Sequence, residues 1–159
     1  MPISYRGRGK GHLSLMHKEG PMEWKEAYSL QIPEIDKEHQ IMVEYVTVVE
    51  RAIANGEPAS AVEAAIGRLA SFAVTHFGFE ETLMRIQEYP GSEDHMESHQ
   101  RFLMELKAIQ EQAGSSSPSK HFVGFLHTWL ERHFLADDRL YASSLTSKAR
   151  ELVRKYVPS

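Results

Sequence analysis

The chain holds 159 residues, 42% hydrophobic and 25% charged, a size and balance that suit one globular domain. Its formal charge of -4 leaves no basic surplus to displace counterions from nucleic acid, and no apolar run approaches the length of a membrane span. The absence of cysteine removes disulfides, zinc–thiolate sites, iron–sulfur clusters and thiol catalysis together, and it fits the cytoplasmic location we expect.

Residues 1–20 are rich in Gly and Arg without a sustained period and read as a flexible tail. A first helix is expected from about Asp36, as N-cap, to "NGEP" at 55–58, with the stripe His39, Met42, Val46, Val49 and Ile53. A second opens near Pro58 and runs to about Gln87. Its stripe is Val62, Ile66, Leu69, Phe72/Ala73, His76, Glu80 and Leu83. Gly67 and Gly78 weaken this helix, and Gly78 is expected to admit a close neighbour. A third helix, about 93–112, carries His95, His99, Phe102/Leu103, Leu106 and Ile109. After "AGSSSPS" a fourth, about 120–137, carries Phe122, Phe125/Leu126, Trp129, His133 and Ala136/Asp137. A short amphipathic helix through Leu145, Ala149, Leu152 and Tyr156 closes the chain. With no strand-like alternation, the expected fold is all-α: an antiparallel up-down four-helix bundle over 21–141, preceded by the tail and followed by a C-terminal helical extension over 142–159.

Each predicted bundle helix has histidine on its apolar stripe. A lone histidine there is usually a satisfied core residue, but a buried carboxylate such as Glu80 is costly without a partner or a metal. His39, His76, His95, His99 and His133 would all point into one interior, where neutral imidazoles and an ionised carboxylate are metal donors. His76/Glu80 and His95/His99 are i, i+4 pairs, which stack two donors about 6 Å apart on one face. Beyond His133, helical periodicity prefers Asp137 at i+4. Asp138, five residues on, falls about 140° off the face of a regular helix.

The motifs "IDKEH" (35–39), "HFGFEE" (76–81), "HMESH" (95–99) and "WLERHFLADDRLY" (129–141), with the intervals between them, resemble the hemerythrin family of the bacterial single-domain kind. The resemblance covers about residues 22–141. It implies a centre of two non-haem Fe ions, with His95, His99 and His133 on one iron and His39 and His76 on the other. Glu80 and Asp138 bridge the pair together with a solvent-derived oxo or hydroxo group, so the family pattern selects Asp138 where periodicity selects Asp137. Glu38 stands where many relatives have glutamine, which bears on hydrogen bonding near His39.

Three histidines on one iron and two on the other leave an open position on the second. Five imidazoles also make a less anionic set than the four carboxylates of di-iron oxygenases, which disfavours high oxidation states. The expected function is therefore reversible O2 binding for carriage, storage or delivery, with O2 as ligand, no catalytic role and no membrane insertion. The alternatives are a di-iron peroxidase or oxidase, or an O2/NO-sensing module; a protein partner is not indicated. Trp129, Phe134, Phe77, Leu103 and Leu126 would exclude water from the centre. His12, His17, His121 and His127 read as tail or surface, and Glu81 as a solvated neighbour, with a contact to a ligand histidine as the other reading.

Overall fold

The computed structural model describes residues 20–113, 116, 118 and 120–157; apart from Gly20, the expected tail lies outside them. Helix α1 (Pro33–Ala54) begins earlier than expected, because Pro33 occupies its first turn, where a missing N–H is harmless. Asp36 is therefore not the N-cap. Its carboxylate instead accepts from the Ser29 hydroxyl at 2.6 Å and the Leu30 N–H at 2.7 Å, holding the turn that feeds the helix. At the other end Gly56 takes φ 63°, and the Glu57 N–H reaches the Ala52 carbonyl at 2.9 Å, a Schellman closure that stops the helix where "NGEP" predicted.

Helix α2 (Ala59–Ile86), α3 (Ser92–Ala113) and α4 (Lys120–Arg132) follow. Helix α4 passes without a break into a π-helical turn (His133–Asp137), then α5 (Asp138–Ser143), and α6 (Ser147–Tyr156) ends the described chain. Cross-helix pairs give the directions. Glu38 and Tyr45 of α1 meet His76 and Phe72 of α2, and Glu81 and Gly67 of α2 meet His99 and Gln110 of α3. Phe102 and His99 of α3 meet Trp129 and His133 of α4 and the turn after it, and Glu50 and His39 of α1 meet His127 and Phe134. As one number rises the other falls, so neighbouring helices run antiparallel in an up-down four-helix bundle. There is no strand among the described residues, and no described helix is long and apolar enough to cross a membrane.

The interior divides along the bundle axis. One apolar cluster, including Val46, Ile66, Leu69, Phe77, Phe102, Leu130 and Phe134, fills most of the length. A second, of Ile32, Ile35, Leu83, Met84, Tyr141, Ala149 and Val153, fills the end capped by α6. Between Ile35 and Met42 on α1, Phe77 and Leu83 on α2, and Phe134 and Tyr141 on the last segment, the stripe residues are His39, Glu80 and Asp138. The polar residues thus form a layer between two apolar plugs. The C-terminal helix contributes Ala149 and Val153 to the second plug, whereas Tyr156, expected on its buried stripe, is 62% exposed. Thr146 caps it by accepting from the Ala149 N–H at 3.2 Å.

Candidate metal centre

All seven residues singled out from the sequence meet in this layer. His39, Glu80, His99, His133 and Asp138 are 0% exposed, and His76 and His95 nearly so. Helix α1 supplies one side chain, α2 and α3 an i, i+4 pair each, and the last segment His133 and Asp138. The π turn explains why regular periodicity misplaced Asp138. The Asp138 N–H bonds to the His133 carbonyl five residues back, so the widened turn brings the i+5 residue round to the face of His133. Asp137 lies at the edge of the layer instead, 3.5 Å from the Nδ1 of His133.

The two carboxylates divide their oxygens. Glu80 Oε1 lies 3.4 Å from His76 Nε2 and 3.9 Å from His39 Nε2, while its Oε2 lies 3.3 Å from His99 Nε2 and 3.9 Å from His95 Nε2. Asp138 Oδ2 faces His39 Nε2 at 3.2 Å, and its Oδ1 faces His95 and His133 at 3.0 and 3.1 Å. Each carboxylate therefore turns one oxygen to the group of three histidines and the other to the group of two. Donor atoms converge within 4.8 Å in two sets, one of Glu80, His95, His99, His133 and Asp138, the other of His39, His76 and Glu80.

The electrostatics require positive charge here. Burial would push Glu80 and Asp138 up, and at Glu80 the charge of Asp138 adds to it, yet the imidazoles around them hold both well below the usual carboxylate range. Burial would likewise lower His39 and His133, but Asp138 and Glu80 raise His39 to about 9, and Asp138 and Asp137, with Glu80 behind them, raise His133 to about 10. All four carboxylate oxygens of Glu80 and Asp138 lack a hydrogen-bond partner, as do the Nε2 atoms of His39, His76 and His95. Buried polar atoms left unpaired cost free energy, and cations accepting these donors would satisfy them together. The residues present fit a metal.

A further ring of acids surrounds the cluster. Glu38 accepts from His76 Nδ1 at 2.5 Å and Glu81 from His99 Nδ1 at 2.9 Å. These two contacts turn Nε2 of His76 and of His99 inward, whereas His133 Nδ1 lies 3.5 Å from Asp137 without a hydrogen bond to it. Glu38 therefore serves His76 rather than His39, and Glu81 makes a ligand-side contact rather than a merely solvated one. The sequence signal for all three is position: each acid directly flanks a member of the cluster. Which histidine Glu38 reaches is set by the α1–α2 packing and is not written in its neighbours.

The sequence pattern of the Hemerythrin HHE cation binding domain matches residues 30–145. The chain belongs to the hemerythrin family. Relatives include a "Bacteriohemerythrin" of Pseudomonas paraeruginosa, 29% identical over 82% of this chain and 86% of the relative, and one of Stenotrophomonas maltophilia, 27% identical over 84% and 87%. A "Myohemerythrin" of Riftia pachyptila is 25% identical over 79% of this chain and 94% of its own length. A hemerythrin domain implies non-haem iron, and the imidazole and carboxylate donors here suit iron.

This hemerythrin fold also seals the layer with rings. Phe77 stacks on His99 with centroids 3.9 Å apart, Phe134 on His39 at 4.3 Å and Trp129 on His133 at 4.4 Å. Leu126 is fully buried, and Leu103 packs against the same core from a partly buried position. The rings fix each imidazole plane and keep water off it. Of the histidines assigned to tail or surface, His121 is exposed, and His12 and His17 lie outside the described residues. His127 departs from that reading: it pairs with the buried Glu50, whose other oxygen accepts from the Met22 N–H at 2.9 Å.

Proposed function

We propose that the protein binds O2 reversibly at a non-haem di-iron centre held by His39, His76, Glu80, His95, His99, His133 and Asp138. The observation that carries the reading is the division of the carboxylate oxygens, since a group that turns one oxygen to each histidine set is placed to bridge two ions. His95, His99 and His133 would hold one iron, and His39 and His76 the other, which keeps a coordination position free on the two-histidine side. Iron held by these residues would supply the electrons for reversible O2 binding. The chain's residues do the rest. Glu38 and Glu81 turn the Nε2 atoms of His76 and His99 inward, and Phe77, Trp129 and Phe134 keep bulk water from the centre.

The names of the relatives, bacteriohemerythrin and myohemerythrin, support this reading over an enzymatic one. We place the protein in the cytoplasm, with O2 as its partner and carriage, storage or delivery as its role. The test is optical. Protein loaded with ferrous iron under argon should develop a visible charge-transfer spectrum in air and lose it again under argon. A spectrum that never appears, or that appears and cannot be reversed, would overturn the reading.

A further inference from the structure

Tyr141 is fully buried, and its hydroxyl has no hydrogen-bond partner. Among the described residues it is the one orphaned buried side-chain atom outside the seven residues of the metal layer. Tyr28, the other fully covered tyrosine, spends its hydroxyl on Glu131 at 3.1 Å. A phenylalanine would fill the Tyr141 position without stranding a donor, so the hydroxyl calls for a physical reason. Its placement supplies one. Tyr141 lies three residues after Asp138 on α5, one turn along the same face, and its ring meets His95 edge-on with centroids 5.8 Å apart. Burial, and after it the negative charges of Glu80 and Asp138, push its pKa up.

We propose that Tyr141 is a positioning residue of the metal centre, its hydroxyl donating a hydrogen bond to a bridging carboxylate, Glu80 or Asp138, once that carboxylate is bound to metal. This rests on the di-iron reading above. A carboxylate oxygen that binds a metal through one lone pair keeps another for a donor. The hydrogen bond draws electron density from the carboxylate, makes it a weaker donor to iron and so favours the ferrous state. Glu38 and Glu81 act in the opposite sense, by making His76 and His99 stronger donors. The apolar plug that buries Tyr141 excludes the water that would otherwise satisfy both groups.

The test uses Tyr141→Phe in the full chain, with Tyr89→Phe as the control, because Tyr89 packs on Tyr141 with centroids 6.1 Å apart but is only partly buried. Iron content is measured first. With wild-type loading, Tyr141→Phe is expected to shift the ferric–ferrous equilibrium about tenfold toward ferric in a redox titration, the scale of a lost contact behind a ligand. Tyr89→Phe should leave that equilibrium at the wild-type value. A second measurement needs no variant. The near-ultraviolet difference spectrum of wild-type protein with and without Zn2+ should show a tyrosine band moving to longer wavelength, as for a phenol that gains an acceptor. If two irons bind, and neither the redox equilibrium nor the tyrosine band responds, the inference is wrong and the di-iron reading stands. If iron does not bind in pairs, both fall.

Discussion

At the scale of single residues, the layer between the two apolar plugs balances charge with either protons or metal. Without a cation, His39 and His133 hold protons up to about pH 9 and 10, because Asp138 faces both, with Glu80 beside His39 and Asp137 beside His133. These folded-state values lie above the ordinary value of 6.5. The stabilisation they bring is complete below pH 6.5 and is lost as pH rises through 9 to 10. A metal must displace those protons. Loading ferrous iron at pH 8 is therefore expected to release about two protons per chain, read with a pH indicator in weak buffer, and acidification is expected to drive the metal back out. Release of no protons would mean that the imidazoles are already neutral. Glu80 contributes to both donor sets, so Glu80→Ala should lower the iron content more than loss of a residue on one side alone, with His99→Ala as the comparison in a metal analysis.

The residue scale also shows what the sequence reveals and what it does not. His39, His76, Glu80, His95, His99 and His133 announce themselves, because a polar residue at helical spacing on an apolar stripe is a local signal. Asp138 escapes it, since the rule assumes 3.6 residues per turn and the π turn abandons that figure where it matters. The pairing of Glu38 with His76 and of Glu50 with His127 depends on how separate helices pack, and no local pattern encodes it.

At the scale of elements, helix ends and helix interiors follow ordinary propensities, with departures that can be measured. Gly78 does not accommodate a close neighbour. It is exposed, and a Cβ built there meets nothing within 4 Å. Its flexibility costs stability without serving packing, so Gly78→Ala should stabilise the protein by about 1 kcal/mol in urea denaturation, with an unchanged slope. A loss of stability would show that the backbone needs the freedom of glycine between His76 and Glu80. Gly67 is different: a Cβ there would meet the end of the Gln110 side chain at 2.9 Å, and that flexible amide would have to move.

At the scale of the whole molecule, the antiparallel bundle brings four helices to one layer, and the chain before α1 is fastened across the seam of α1 and α4. Glu50 pairs with His127 and accepts from the Met22 N–H, the Thr47 hydroxyl donates to the Met22 carbonyl at 2.9 Å, and Trp24 and Tyr28 pack on Phe134. Phe134 in turn stacks on His39, so this fastening backs the two-histidine side of the centre. Glu50→Ala leaves a partly buried imidazole and a buried N–H unpaired. It should cost about 2 to 3 kcal/mol in thermal unfolding, with faster proteolysis between residues 20 and 28. A variant as stable and as resistant as wild type would mean that the pair does not hold the segment.

The function turns on whether Glu80 and Asp138 join two ions. Iron analysis combined with the magnetic behaviour of the oxidised protein tests it most directly. Two ferric ions sharing bridging groups couple antiferromagnetically, so about two irons per chain and no paramagnetic resonance signal at low temperature are expected. About one iron per chain, or two that give the signal of isolated ferric ions, would contradict it.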